Sequence, residues 1–95
     1  MTEKIVVKFY GLMRRQLQTQ AVEIEAAKLS IWELLLQAEQ KTGQNFLAEL
    51  LDPEKKLLTG TMILVNGENI RLKQGLETRV ASGDTVDLFS PAGGG

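Results

Sequence analysis

The chain has 95 residues, 43% hydrophobic and 24% charged, a composition that suits one folded domain with a mostly aliphatic core and argues against disorder. Eleven basic and twelve acidic residues leave a formal net charge of −1 with no basic block, which argues against a nucleic-acid surface. Cys and His are both absent, which excludes cysteine nucleophiles, disulfides, thiolate zinc sites and imidazole bases together.

Residues 4–10, KIVVKFY, alternate Ile5, Val7 and Phe9 with Lys4, Val6, Lys8 and Tyr10, as a half-buried strand does. Gly11 and the polar RRQLQTQ stretch break it, and the spacing predicts a long mobile loop carrying Arg14 and Arg15. The alternation resumes over residues 21–26 with Val22 and Ile24, making an antiparallel hairpin. Ser30 followed by Glu33 is a capping box. It opens a helix whose Ile31, Leu34, Leu35 and Ala38 recur on one stripe, with Trp32 at its flank. Gly43 supplies the left-handed C′ position. A short helical turn over residues 45–52 closes at Asp52 and Pro53.

Residues 61–72 read as two strand segments around Asn66 and Gly67, a pair that favours the positive φ of a tight hairpin turn. Gln74 and Gly75 break the chain again, and a turn at Gly83 and Asp84 introduces a last strand over residues 85–90. Glu23, Glu25, Glu33 and Glu39 are spaced as solvent-facing positions. The order strand, strand, helix, strand, strand, strand predicts a two-layer α+β roll with a mixed sheet of about five strands packed on one main helix. A β-grasp arrangement, with first and last strands adjacent and parallel at the centre, fits this order.

In the last strand Val86 and Leu88 take the buried parity, and Thr85, Asp87 and Phe89 the outer one. Tyr10 also points outward, so parallel neighbours would bring Tyr10 and Phe89 together as an exposed apolar patch, extended by Ile70 or Leu72 of the neighbouring hairpin. Such patches commonly mark partner sites. Beyond the patch, residues 91–95 form a flexible tail on a domain of residues 1–90. Pro91 ends strand pairing, and five extended residues reach roughly 17 Å. Gly93, Gly94 and Gly95 lack a β-carbon and can thread a channel too narrow for other residues. A free α-carboxylate on Gly95 has a pKa of about 3.3–3.7 and is ionised at neutral pH, so it needs activation before its oxygen can be replaced.

No apolar run reaches the about 18 residues of a membrane span, and no signal peptide is evident, so a cytoplasmic protein without membrane contact is expected. Phosphate-loop and dinucleotide-binding glycine motifs are absent.

VKFYGLMRR near the start, ILVNGENI in the middle and GLETRVASGDTVDLFSPAGGG at the end resemble the ubiquitin-like sulfur carriers, most closely the small subunit of molybdopterin synthase. The resemblance implies a ubiquitin-like β-grasp fold and a cycle carried by the chain end alone. Gly95 would be adenylated by an E1-like adenylyltransferase and converted to a thiocarboxylate by a cysteine desulfurase or rhodanese-type sulfur donor. The tail would then enter the large subunit of molybdopterin synthase and pass sulfur to a pterin precursor. No cofactor would be bound by this chain, and ATP would be used by the activating partner. The resemblance matches Tyr10 and Phe89 to apolar partner contacts, beside Ile70 and Pro91. Thiamine, cysteine or transfer-RNA thiolation, or modification of target lysines, are the alternatives. Two departures stand out: Ser90 replaces the first proline of the family's Phe-Pro-Pro, and three glycines replace the commonest two.

Overall fold

Burying alternate side chains of a strand on one face leaves its other face wet, and β1 (Lys4–Phe9) follows that rule: Ile5, Val7 and Phe9 are buried while Lys8 is exposed. These elements come from a computed structural model that describes residues 3–91. β1 runs antiparallel to β2 (Ala21–Glu25), with Ile5 opposite Ile24, and parallel to β7 (Thr85–Phe89), with Val7 opposite Val86. β7 in turn pairs antiparallel with β4 (Met62–Val65), and β4 with the short β5 (Glu68–Asn69). The resulting mixed sheet has the order β2-β1-β7-β4-β5, so the first and last strands lie adjacent and parallel at its centre. This is the β-grasp arrangement that the element order predicted.

The main helix, α2 (Ile31–Thr42), lays Ile31, Leu34, Leu35 and Ala38 on the inner face of the sheet. Both halves of its capping box form: the Glu33 amide donates to Ser30 Oγ at 3.1 Å, and the Ser30 amide donates to Glu33 Oε1 at 3.0 Å. Gly43, at φ 71°, closes the other end by donating to the Glu39 carbonyl at 2.9 Å. The Ser30 amide and hydroxyl hold the Glu33 carboxyl below its usual range; desolvation opposes them, and Arg79 adds a smaller push downward. A lowered folded-state pKa means stability that is present above the unfolded value and lost as pH falls through the folded one. The difference in thermal midpoint between the wild type and Glu33→Gln is therefore expected to shrink on acidification from neutral pH. A difference that stays constant would contradict the cap.

Four features depart from the sequence reading. The segment expected as a long loop folds into α1 (Gly11–Leu17), held down by buried Met13 and Leu17 on one face. A second, two-stranded sheet pairs β3 (Lys28–Ser30) with β6 (Arg79–Ala81), joining buried Leu29 to buried Val80. Glu39, expected in solvent, turns its carboxylate to accept from the amides of Phe46 and Leu47 at 2.7 and 3.0 Å, capping the 3-10 turn Leu47–Glu49. After Asn69 the chain leaves the strand for a 3-10 turn, Ile70–Leu72, whose start the Asn69 side chain fixes by accepting from the Arg71 amide at 2.9 Å.

Asn66 is a turn former as expected, with φ 50°, and its side chain also bridges to the β7 turn. It donates to Asp84 Oδ1 at 2.9 Å and accepts from the Thr85 amide at 2.9 Å. Among the described residues no helix is long and apolar enough to cross a membrane.

Candidate functional site

The parallel pairing of β1 and β7 decides what stands beside the last described residues. With Phe9 opposite Leu88, the next residue of one strand and of the other emerge side by side on the outer face of the sheet. Tyr10 donates its backbone N–H to the Leu88 carbonyl at 3.2 Å, which fixes the turn out of β1. Its ring stacks on Phe89 with centroids 4.6 Å apart and planes 11° from parallel. Both rings are half-buried. Stacked aromatic pairs of this kind are worth about 0.5–1.5 kcal/mol beyond their buried area, so the two rings form one flat surface.

The phenol is tied as well as stacked, since Tyr10 Oη donates to Asp87 Oδ1 at 3.1 Å. Desolvation raises the Tyr10 pKa above its ordinary value of 10.0. The Asp87 hydrogen bond and charge act in the same direction, while Arg14 opposes them. Tyr10 is thus a protonated donor across the neutral range and serves to orient the patch. On the other side of β7, Met62 stands opposite Phe89 and is 40% exposed. The apolar strip therefore runs Tyr10, Phe89, Met62 across three neighbouring strands.

Two of the residues expected here need separate comment. Ile70 is not at the surface: it is 0% exposed, carried into the core by the 3-10 turn that replaces the end of the hairpin. Leu72, by contrast, is 87% exposed. Pro91 is half-buried and packs beside Gly60. Gly93, Gly94 and Gly95, expected to be the threading and reactive residues, lie outside the described residues. Parity puts Asp87 on the outer face but gives no sign of its bond to Tyr10, and Met62, on the same face of β4, is a member of the strip that the sequence reading does not include.

An apolar groove of about 510 Å³ lies in the helix layer, lined by Trp32, Leu47, Ala48, Leu51 and Leu58. Its polar neighbours are already engaged. Lys55 sits 5.2 Å over the Trp32 ring, and Asp52 Oδ1 accepts from the Glu54 and Lys56 amides. Among the described residues no ion pair forms there. The outer-face strip, beside the last described residues, is the better candidate.

The profile of the ThiS family matches residues 7–95 of the chain. A relative from Archaeoglobus fulgidus described as a candidate sulfur carrier protein is 39% identical over 74 residues, covering 78% of this chain and 83% of the relative. Among solved structures, SAMP1 from Haloferax volcanii superposes with a TM-score of 0.79 at 18% identity, over 97% of this chain and 99% of that one. A chain of the Amycolatopsis orientalis BexX/CysO complex gives a TM-score of 0.76 at 26% identity, over 96% and 99% respectively.

Proposed function

The chain belongs to the ThiS family, and on that premise we propose that it is a cytoplasmic sulfur carrier whose reactive group is the carboxylate of Gly95. The observation that supports this reading is the Tyr10 and Phe89 stack at the root of a glycine tail, in a chain without His or Cys. A chain so built docks and presents; its partners do the chemistry. An E1-like enzyme transfers AMP from ATP to the Gly95 carboxylate and releases pyrophosphate. The outer sulfur of a cysteine persulfide on a desulfurase or rhodanese-type donor then displaces AMP to give an acyl disulfide, and a second thiol cleaves its S–S bond, leaving the thiocarboxylate on Gly95 and a disulfide on the donor cysteine. In the pathway we favour, the tail enters the large subunit of molybdopterin synthase and the sulfur passes to a pterin precursor of the molybdenum or tungsten cofactor.

The likeness to a chain of the BexX/CysO complex favours a second reading with the same end group and a different acceptor. Supplying radiolabelled sulfur and asking which small molecule or protein acquires it separates the two.

The strip makes its own prediction. Phe89→Ala is expected to weaken binding to the purified adenylating enzyme by about 2 kcal/mol, roughly thirtyfold, as a central aromatic contact does. Tyr10→Phe keeps the stack but loses the tie to Asp87, and its effect should be smaller than that of Phe89→Ala. Titration calorimetry checks both, with circular dichroism to show that the fold is intact. Equal affinity for wild type and Phe89→Ala would remove the docking role.

A further inference from the structure

β4 and β7 pair with Met62 opposite Phe89 and Ile63 opposite Leu88. Carried two residues past the Met62–Phe89 pair, the same register sets Gly60 opposite Pro91. The two residues do meet. A β-carbon built on Gly60 would stand 3.3 Å from Pro91 Cβ, 3.5 Å from its Cα and 3.8 Å from its Cγ. At Gly11, Gly43, Gly67, Gly75 and Gly83 the same construction meets nothing within 4 Å. Those glycines answer to a positive φ alone. Gly60, at φ 93°, also leaves room for a neighbour.

The floor under Pro91 is held firmly. Thr61 is buried, its amide donates to the Leu58 carbonyl at 3.0 Å, and its Oγ1 donates to the Leu50 carbonyl at 2.8 Å. The Leu58 amide donates to that same Leu50 carbonyl at 2.9 Å, and Arg71 Nη2 donates to the Leu58 carbonyl at 2.9 Å. Pro91, in contrast, follows the last strand and has no N–H with which to join a ladder. If a side chain were added at position 60, the residue free to shift is Pro91.

We infer that Gly60 is a positioning residue for the carrier tail: its bare backbone is the seat on which Pro91, the last described residue, rests. The inference rests on the carrier reading, because only a chain end that reacts needs a fixed point of departure. A contact at 3.3 Å asks Pro91 to give by a few tenths of an ångström; since a misplacement of about 1 Å at a reacting group can cost as much as a hundredfold in rate, a severalfold loss is the scale to expect.

The test compares Gly60→Ala with Gly83→Ala in the full chain. Gly83 sits at φ 95° in open space, so its variant carries the same left-handed strain without the contact. Each variant is ¹⁵N-labelled for amide spectra, then assayed with the purified E1-like enzyme and ATP for pyrophosphate release. Both are expected to melt somewhat earlier than wild type. Gly60→Ala alone should move the amide resonances of residues 92–95 and lower kcat about threefold, with KM for the carrier unchanged within about twofold. Gly60→Val should exaggerate both effects. Tail resonances at their wild-type positions in Gly60→Ala, or a kcat equal to that of Gly83→Ala, would overturn the inference. If the wild type itself releases no pyrophosphate, the carrier reading fails, and the spectra alone decide whether Gly60 seats Pro91.

Discussion

A chain ending at Gly93 is expected to unfold at the temperature of the full chain and to accept no sulfur at all. The two halves of that result have separate causes. Stability comes from a core whose members run from Ile5 to Leu88, closed by a sheet whose last strand ends at Phe89. Gly94 and Gly95 have no side chains to add to that core. Activity, on the carrier reading, comes from one carboxylate, and removing Gly94 and Gly95 withdraws it from the reach of the partner. A thermal melt by circular dichroism and an intact-mass assay check the two halves on one sample. An earlier melt would make the tail structural, and sulfur on the shortened chain would put the reactive group elsewhere.

Phe9→Ala is expected to do the reverse, damaging the fold first. Phe9 is 1% exposed at the centre of the sheet, and its ring meets Phe46 edge-on at 5.4 Å and 72°. Removing a buried phenylalanine costs about 3–5 kcal/mol, against a total stability of about 5–15 kcal/mol for a domain. Urea denaturation should therefore show a much lower midpoint with a similar slope. One residue along the chain, Tyr10 faces outward, and Tyr10→Ala should leave the midpoint nearly in place while weakening partner binding. A loss below about 1 kcal/mol for Phe9→Ala, typical of an ordinary substitution, would mean that the core is not organised around this ring.

These two neighbours also show what was legible in the sequence. Strict alternation in β1 and β7 separates Phe9 from Tyr10, and Leu88 from Phe89, in the sequence alone. The capping box, the Gly43 terminus and the Asn66 turn are local chemistry, and each formed as read. α1 was hidden because only Met13 and Leu17 mark its buried face, and its N-cap residue, Tyr10, makes no side-chain cap. β3 and β6 are three residues each and become strands only by finding one another across the chain.

Ile70 was misplaced for a different reason. Parity counts by twos only while the chain stays extended, and the Asn69 cap switches it into a 3-10 turn that rotates Ile70 inward. Glu39 looked solvent-facing because its partners, the amides of Phe46 and Leu47, belong to the following turn. The patch survived these errors because it depends on two strands whose alternation is unbroken.

The carrier account is tested most directly by the intact mass of the full chain after incubation with ATP, the E1-like enzyme and a sulfur donor. It predicts a gain equal to the exchange of one oxygen for sulfur, localised by fragmentation to Gly95 and absent when ATP is withheld. An unchanged mass in the presence of an active enzyme and donor, or sulfur found on any residue other than Gly95, would contradict it.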